Sequence, residues 1–365
     1  MKGRKSLATP MQLHGALNRV CKASFLRGVG LLILVGLLIA GCGSSRVNAP
    51  SSGNGSFRPT RSFAGLVDIG SGRTMYLECR GSGSPTVVLV SGLDSAADVW
   101  IGYQAHPSQA VFAQVAGFTR VCAYDRPGTP VGDDLTPSRS SPVPQPTTAQ
   151  DAVRDLHALM GAAGELGPYI LVGHSYGGLI TRLYAGEYPS EVAGMVFVDA
   201  FAPEWQTAMT PQEWHIVKAI TGPSKDQLTQ YPAMELIDFD ASVAQARAAA
   251  PPRPYLPVVV LSRDTVAHPM GPFIASLVAQ GKLPAFVPAD FGYINDRAWD
   301  KAQDALARLV PNTEHIVVIG SDHNIQIDHP QAVTDAIHDV FDSAREPRQA
   351  DRTTATRDRL NPLPG

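Results

Sequence analysis

One serine of this chain stands between two glycines, at a point where an apolar strand pattern changes directly into a helical one. The segment Gly173-His174-Ser175-Tyr176-Gly177 follows the run YILV and precedes the pattern LITRLYA. A turn this sharp strains its middle residue and projects the side chain, while a side chain at either flanking glycine would meet neighbouring backbone. The pattern therefore predicts that the Ser175 hydroxyl is presented as a nucleophile.

A serine nucleophile needs a base, and His323 is the best placed of the ten histidines. It lies three residues past the apolar run HIVVIG and shortly before the last helical pattern. That loop would return the imidazole to the end of the sheet beside Ser175, in the chain order serine, acid, histidine. His329 is the alternative, but it stands at the predicted helix start, a position typical of a surface residue.

Two aspartates could orient this histidine. Asp264 follows VVVLSR at the end of the next-to-last predicted strand, and Asp199 follows MVFV one strand earlier. Either carboxylate could instead cap the helix that comes after it. The sequence favours Asp264 as the acid, with Asp199 as the alternative.

The oxygen that becomes negative during acyl transfer needs backbone N–H donors. Tyr176 follows the nucleophile at a helix start and supplies one N–H group. The second is expected from Leu93, because Ser91-Gly92 lets the chain turn sharply after the strand pattern TVVLV. Leu93 and Tyr176 are therefore the predicted oxyanion-binding residues.

The elements that would hold these residues alternate between strand and helix patterns. FAGLVDI and TMYLEC flank a Gly-Ser-Gly turn and predict an opening hairpin. The later strand patterns are almost wholly apolar, as in parallel strands covered on both faces. Together they predict an α/β fold with a doubly wound, mostly parallel sheet. The later patterns are TVVLV, RVCAYD, YILVG, GMVFVD, PVVVLS and HIVVIG.

Two long segments interrupt this alternation. Residues 200–255 separate two strands by more than a connecting helix needs, which predicts a helical cap. Residues 265–312 are also long and contain Gly, Pro and aromatic residues. Both segments would lie at the carboxyl ends of the strands, where open α/β sheets bind ligands.

The N-terminal segment predicts export and anchoring. Residues 1–41 contain six Lys and Arg residues and no acid, and they include the apolar run VGLLILVGLLIA. With the cysteine that follows, this predicts a lipoprotein signal peptide and a lipid-carrying Cys42; a single N-terminal anchor helix is the alternative. Translation could begin at Met1 or at Met11. We expect the protein to be tethered to a membrane on its extracytoplasmic side.

The remaining ends of the chain have little to bury. Residues 42–62 are rich in Ser, Gly, Asn and Pro and predict a flexible stalk, and residues 346–365 predict a disordered tail. The folded domain would therefore span residues 63–345.

The net charge and the absence of ligand motifs argue against nucleic-acid, metal and cofactor binding. Without the six N-terminal basic residues the formal net charge falls from −3 to −9, which argues against nucleic-acid binding. Neither C-x-x-C nor H-E-x-x-H occurs, so no metal and no cofactor are expected. No pattern predicts the oligomeric state.

Five motifs, in this order, resemble those of the α/β-hydrolase superfamily: SGLDSAADVW, RVCAYDRPG, LVGHSYGGL, VFVDA and SDHNIQIDHP. The resemblance covers residues 63–345 and is strongest to the esterase, lipase and proline-aminopeptidase branch. It implies an α/β-hydrolase fold with an eight-stranded, mostly parallel sheet and a helical cap after strand 6. Two departures occur: Ser91-Gly92 stands where the family often has His-Gly, and TPVGDD follows the DRPG turn where another Gly and a Ser are usual.

The resemblance also implies a disulfide bond. The family's strand order places the second strand beside the fourth, which would bring Cys79 and Cys122 onto neighbouring strands. In an oxidising compartment the two would pair. The alternative is a pair of buried thiols that act as small apolar residues.

These observations combine into the hypothesis of a membrane-anchored serine hydrolase that cleaves small-molecule carboxylic esters through an acyl-enzyme. A proline-type aminopeptidase of the same fold is the alternative. It would need carboxylates in the cap to hold a substrate ammonium group, for which Glu204, Glu213 and Glu235 are the candidates. A lipoprotein that only binds a ligand is the third hypothesis. It would have no need of a serine, a histidine and an acid together.

Overall fold

The computed structural model describes residues 62–102, 107–132 and 135–346. The predicted signal peptide and Cys42 lie outside the described residues, as do nearly all of the predicted stalk and tail. None of the helices in the described ranges has the length and apolar character that crossing a membrane requires.

Eight strands form one sheet in the order β1-β2-β4-β3-β5-β6-β7-β8. β2 pairs antiparallel with β1 and with β4, and every other pairing in the sheet is parallel. The predicted eight-stranded, mostly parallel sheet is confirmed. The strands are β1 Phe63–Gly70, β2 Arg73–Arg80, β3 Thr86–Val90, β4 Val121–Tyr124, β5 Tyr169–His174, β6 Val192–Val198, β7 Val258–Arg263 and β8 Glu314–Val318.

Twelve α-helices occur in the described part of the chain, on both faces of the sheet. α3 and α4 cover one face, and α2 and α12 cover the other. The helices are α1 Asp98–Ile101, α2 Val111–Val115, α3 Ala149–Ala162, α4 Gly177–Glu187, α5 Glu204–Thr207, α6 Pro211–Thr221, α7 Lys225–Gln230, α8 Phe239–Ala248, α9 Met270–Ala279, α10 Phe291–Leu306, α11 Ile325–Asp328 and α12 Pro330–Arg345.

The central strands are apolar because both of their faces are covered. Along β3, Val87 and Leu89 belong to the core under α2 and α12, whereas Val88 and Val90 belong to the core under α3 and α4. Alternate side chains of a strand point to opposite faces, so both sets must be apolar here. This burial explains why the strand patterns of the sequence were continuous rather than alternating.

The helical cap is confirmed after the sixth strand. Helices α5 to α8 lie between β6 and β7, and α9 and α10 occupy the second long segment, between β7 and β8. A capping box begins α3: the Thr148 N–H donates to the Asp151 carboxylate at 2.8 Å, and the Asp151 N–H donates to the Thr148 hydroxyl at 3.3 Å.

Cys79 and Cys122 lie opposite each other on β2 and β4 and form a disulfide bond, as the resemblance implied. Both side chains are fully buried. The two cysteines are 43 residues apart in the sequence, and closing a loop of this length restricts the unfolded chain. Replacing both cysteines by alanine should therefore lower the free energy of unfolding by about 2–5 kcal/mol. Urea unfolding of the oxidised protein and of the double variant measures this loss. Equal unfolding midpoints would contradict the expectation.

Candidate active site

Ser175 occupies a strained turn between β5 and α4. Its φ is +51°, in the left-handed region that residues with side chains seldom adopt. Hydrogen bonds hold it there: its N–H donates to the Val198 carbonyl (3.2 Å), and its own carbonyl accepts from Gly178 (2.9 Å) and Phe201 (2.8 Å). The structure therefore places the predicted nucleophile at the expected strand-to-helix turn, where its side chain lines a cavity.

The glycines on either side of Ser175 are required by close backbone approach. A Cβ atom on Gly173 would lie 2.6 Å from the Gly177 carbonyl oxygen, and a Cβ atom on Gly177 would lie 2.3 Å from the Val90 carbonyl oxygen. Neither contact could be relieved without moving main chain. The G-x-S-x-G spacing is therefore a packing requirement of this turn.

His323 lies in the loop between β8 and α11 and lines the same cavity as Ser175. Its Nδ1 is 2.6 Å from Oδ2 of Asp199. A neutral imidazole that donates through Nδ1 carries its lone pair on Nε2, the atom that can accept a proton from a serine hydroxyl. His174 Nε2 donates to the His323 carbonyl at 3.1 Å, so a residue beside the nucleophile helps to hold the histidine loop.

Asp199 directly follows β6 and is fully buried, with a φ of +37°. Its Oδ1 accepts hydrogen bonds from the Trp299 indole N–H (2.8 Å) and from the Arg263 backbone N–H (3.2 Å). Burial by itself would raise the pKa of this carboxyl. The Arg263 guanidinium and the hydrogen bonds from His323 and Trp299 outweigh burial and lower the pKa instead. Asp199 therefore faces His323 as a carboxylate.

The preference for Asp264 as the orienting acid is corrected by this geometry. The Asp264 carboxylate accepts backbone N–H groups instead: those of Val266 (3.1 Å) and Ala267 (3.0 Å) on one oxygen, and that of Gly320 (3.0 Å) on the other. The bonds from Ala267 and Gly320 are the main reason that its pKa is lowered. Asp264 ties the loop after β7 to the turn after β8, and the contact to His323 belongs to Asp199.

His329, the alternative to His323 as the base, is not among the residues that line the cavity. His329 joins α11 to α12, where its N–H donates to the Ile325 carbonyl (2.8 Å) and its carbonyl accepts from Ala332 (3.0 Å). It takes the helix-start position that the sequence assigned to it.

The backbone N–H groups of Leu93 and Tyr176 have no acceptor within the described residues. Leu93 lines the cavity beside Ser175, and Tyr176 follows Ser175 directly. Gly92 brings the first loop close, because a Cβ atom on it would lie 2.9 Å from the Ser175 Cβ. Ser91, the residue that departs from the family's usual histidine, donates to the Ala96 carbonyl (2.9 Å) and accepts from the Trp100 indole (3.1 Å). The segments next to Ser175 thus carry two backbone donors that have no acceptor among the described residues.

The cavity above Ser175 has a volume of about 140 Å³. Apart from Ser175 and His323, its lining residues with polar or charged groups include Thr221, Arg263, Asn295, Asp322 and Asn324. Most of the wall is apolar and comes from the cap and from α9 and α10, including Phe201, Trp205, Val217, Ile220, Met270 and Phe273. The site therefore suits an apolar group placed next to the Ser175 hydroxyl.

Asp94 follows Leu93 and has a φ of +50°. Desolvation of its carboxyl and the nearby Glu235 carboxylate raise its pKa from 3.8 to about 7, against the attraction of Arg126. The folded protein then binds this proton more tightly than the unfolded chain does, so the folded state loses stability as the pH rises from about 4 to about 7.

An Asp94→Asn variant removes this titration and keeps a residue that tolerates positive φ. Its free energy of unfolding relative to the wild type is expected to be higher at about pH 8 than at about pH 5. Urea unfolding of both proteins at the two pH values measures the difference. A difference that does not change with pH would contradict the expectation.

One cluster of potential metal ligands occurs among the described residues: Cys79, Cys122 and Glu165. Both cysteines are joined in the disulfide bond, and Glu165 forms a buried ion pair with Arg120. All three side chains therefore already have partners. Cys79 and Cys122 lie on strands, Glu165 lies in the loop after α3, and none of the three lines the Ser175 cavity.

This chain is similar to several known proteins. A protein of Hormonema carpetanum named "Probable transporter efuK" is 26% identical over 334 residues, which are 81% of this chain but only 45% of that protein. The uncharacterized protein YqjL of Bacillus subtilis is 23% identical over 73% of this chain and 87% of its own length. A solved esterase from Thermogutta terrifontis is 18% identical, with a TM-score of 0.45 over 78% of this chain and 100% of that chain. The model of the alpha/beta hydrolase family matches residues 87–336, more than half of the sequence, and the chain belongs to that family.

Proposed function

We propose that this protein is a serine hydrolase that cleaves carboxylic esters with an apolar acyl group. The observation that carries the proposal is the 2.6 Å hydrogen bond from His323 Nδ1 to the buried Asp199 carboxylate, because His323 also lines the cavity that Ser175 lines. A hydrogen bond buried only for stability would not need a serine held at a φ of +51° in the cavity that His323 lines. The three residues have the chemical types and the chain order that nucleophilic acyl transfer requires in this family, with Asp199 as the acid.

In the first half of the reaction, Ser175 Oγ attacks the ester carbonyl while its proton passes to His323 Nε2. The carbonyl oxygen becomes negative and is stabilised by the N–H groups of Leu93 and Tyr176. Collapse of the tetrahedral intermediate breaks the bond to the alcohol, which takes the proton from His323. Asp199 stabilises the imidazolium formed between the two transfers and does not itself take the proton.

In the second half, water replaces the alcohol. His323 takes one proton from the water as its oxygen attacks the acyl-enzyme carbonyl, and the same two amides stabilise the new oxyanion. The Ser175 oxygen then leaves with the proton from His323, which releases the carboxylic acid and restores the enzyme.

The aminopeptidase alternative finds less support. Glu235 is paired with Arg126 (2.7 Å), Glu204 is paired with Arg182 (3.5 Å), and the Glu213 carboxylate accepts the Thr210 N–H (2.7 Å). None of these three carboxylates lines the cavity above Ser175. A substrate ammonium group would therefore find none of these three candidates in the site. The carboxylate that does line the cavity, Asp322, accepts the His323 N–H (2.7 Å).

Active-site labelling tests the proposal. The purified protein would be treated with a fluorophosphonate probe, mapped by peptide mass spectrometry, and assayed on p-nitrophenyl esters from acetate to laurate and on a prolyl anilide. We expect the label on Ser175, turnover of the esters and none of the anilide, because only an activated serine reacts readily with the probe. No label and no ester turnover would refute the hydrolase proposal and favour a binding lipoprotein. Turnover of the anilide would favour the aminopeptidase.

We also propose that Cys42 is acylated and anchors the protein on the extracytoplasmic side of a membrane. The apolar run before Cys42 supports this proposal, as does a disulfide bond that is typical of an oxidising compartment. Metabolic labelling of cells with an alkyne palmitate, for the wild type and a Cys42→Ala variant, tests it. Equal labelling of the two proteins, or none in either, would contradict the anchor.

A further inference from the structure

A buried ion pair joins the segment that follows β4 to the cap, next to the loop that contains Leu93. Arg126 follows β4, and Glu235 lies between α7 and α8. Arg126 Nε is 2.7 Å from Glu235 Oε1, Arg126 Nη2 is 2.9 Å from Oε2, and both side chains are 3% exposed. Such a pair is costly to bury, so its geometry needs a reason beyond stability.

The other donors of Arg126 are directed at the loop after β3. Nη1 donates to the Ser91 carbonyl and Nη2 donates to the Gly92 carbonyl, each at 2.7 Å. The Gly92 carbonyl and the Leu93 N–H belong to one planar trans peptide group, in which they point in opposite directions. Holding that carbonyl on Arg126 therefore fixes the direction of the Leu93 N–H, the proposed oxyanion donor.

The same guanidinium also contacts the residue that carries the second donor. Arg126 Cζ lies 5.6 Å from the centroid of the Tyr176 ring, which is fully buried. One cation thus contacts both segments whose N–H groups lack an acceptor in the described part of the chain. The planar, forked guanidinium is suited to this, since a lysine ammonium could not satisfy two carbonyls and a carboxylate with one rigid geometry.

Glu235 is itself held firmly against the turn that carries Arg126. Its N–H donates to the Gly128 carbonyl at 2.9 Å. Gly128 has a φ of +84°, and a Cβ atom on it would lie 2.6 Å from the Ala233 carbonyl oxygen. Only glycine allows the cap to approach the DRPG turn this closely, so the carboxylate that pairs with Arg126 is fixed by the backbone of the cap.

We propose that Arg126 is a positioning residue for the two oxyanion-binding amides, and that Glu235 of the cap holds Arg126 in place. The inference rests on the proposed hydrolase function and extends it, because it makes oxyanion binding depend on a seated cap. Arg126 acts through the Ser91-Gly92-Leu93 backbone and does not contact the substrate. Its loss should therefore lower kcat and leave the affinity for the ground-state ester almost unchanged.

The test compares two buried ion pairs of this chain that differ in position. The first variant is the double replacement Arg126→Met with Glu235→Leu, which removes both charges together and leaves neither one buried alone. The control is Arg120→Met with Glu165→Leu. That pair is equally buried, with side chains 3% and 4% exposed, but Arg120 precedes β4 and so lies at the opposite end of the sheet from Ser175. Circular dichroism and thermal unfolding verify that both doubles are folded at the assay temperature.

On p-nitrophenyl esters, the Arg126/Glu235 double is expected to lose about 100-fold in kcat with KM changed by less than about threefold. The control double should keep kcat within about threefold of the wild type. A matched thionoester measures the oxyanion interaction itself, because sulfur accepts hydrogen bonds more weakly than oxygen. The preference of the wild type for the oxygen ester should shrink by about tenfold in the Arg126/Glu235 double.

Unchanged kcat in the Arg126/Glu235 double, or an equal loss in both doubles, would overturn the inference. So would a rise in KM at constant kcat. If the Arg126/Glu235 double does not fold, the single variant Arg126→Lys tests the proposal, because it keeps a cation beside Glu235 but lacks the forked guanidinium. We expect its kcat to be about tenfold lower than that of the wild type. A kcat equal to that of the wild type would refute the proposal. Wild-type protein that neither turns over esters nor labels with a fluorophosphonate would instead refute the hydrolase function, so the two failures are distinguishable.

Discussion

Replacing Ser175 by alanine is expected to lower kcat for p-nitrophenyl esters by at least about 10⁵-fold, the largest effect of any single substitution in this protein. The hydroxyl is the only protein group in the mechanism that forms a bond to carbon. Without it, His323 has no proton to remove, and the amides of Leu93 and Tyr176 have no covalent oxyanion to stabilise. KM should change little where it can still be measured, because the apolar cavity wall remains intact.

The substitution should be structurally mild. Alanine at a φ of +51° is strained to about the same degree as serine, and the backbone hydrogen bonds to Val198, Gly178 and Phe201 do not involve the side chain. Thermal unfolding should therefore occur close to the wild-type temperature. Labelling by a fluorophosphonate should also disappear, which provides a readout independent of turnover.

Ser190→Ala is the matched control. Ser190 is exposed and lies just before β6, at the end of the sheet opposite Ser175. The control should retain full activity and labelling. Residual activity of Ser175→Ala within about tenfold of the control would mean that another nucleophile acts, and the assignment of Ser175 would be wrong.

The parts of the fold that could be predicted are those fixed by short-range rules. Continuous apolar runs mark buried parallel strands. The glycines around Ser175 mark a turn in which a Cβ atom on either glycine would lie 2.6 Å or less from a main-chain oxygen. The capping box of α3 is likewise local, since its two partners are three residues apart. Each of these signals is complete within a few residues, so the sequence alone was sufficient.

The contact between His323 and Asp199 spans 124 residues and could not be predicted in the same way. Asp199 and Asp264 each follow a buried parallel strand immediately, and nothing local shows which strand end the histidine loop will approach. The hydrogen bonds from Val266 and Ala267 that occupy Asp264 gave no signal in the sequence, because the residues two and three positions after Asp199 also carry backbone N–H groups. The role of Arg126 depends on Glu235, 109 residues away, and has no local signal.

Asp199→Asn should lower kcat by about 10⁴-fold while leaving the fold intact. The reason lies in the two donors on Oδ1. Trp299 and the Arg263 backbone both donate to that oxygen, so an asparagine carbonyl must take its place, and the amide NH₂ must then face His323. An NH₂ group donates to Nδ1, which forces the histidine proton onto Nε2. In that tautomer Nε2 has no lone pair for the Ser175 proton.

Asp264→Asn is the matched comparison, because it makes the same aspartate-to-asparagine replacement at the end of the neighbouring strand β7. Its carboxylate accepts three backbone N–H groups and contacts no residue of the proposed mechanism. Because hydrogen bonds lower the pKa of this carboxyl, it stabilises the fold above the ordinary aspartate pKa and loses that contribution as the pH falls through its lowered value. At neutral pH the variant should therefore unfold at a lower temperature and keep kcat within about threefold.

Measuring kcat and thermal unfolding for both asparagine variants separates the two roles, because each variant should change one quantity and spare the other. A large loss of kcat in Asp264→Asn together with near-normal kcat in Asp199→Asn would mean that the histidine loop adopts a different arrangement during turnover. In that case the 2.6 Å contact would belong to a resting state of the enzyme. A large loss in Asp199→Asn alone would establish that a carboxylate kept ionised by Arg263, Trp299 and His323 orients the base.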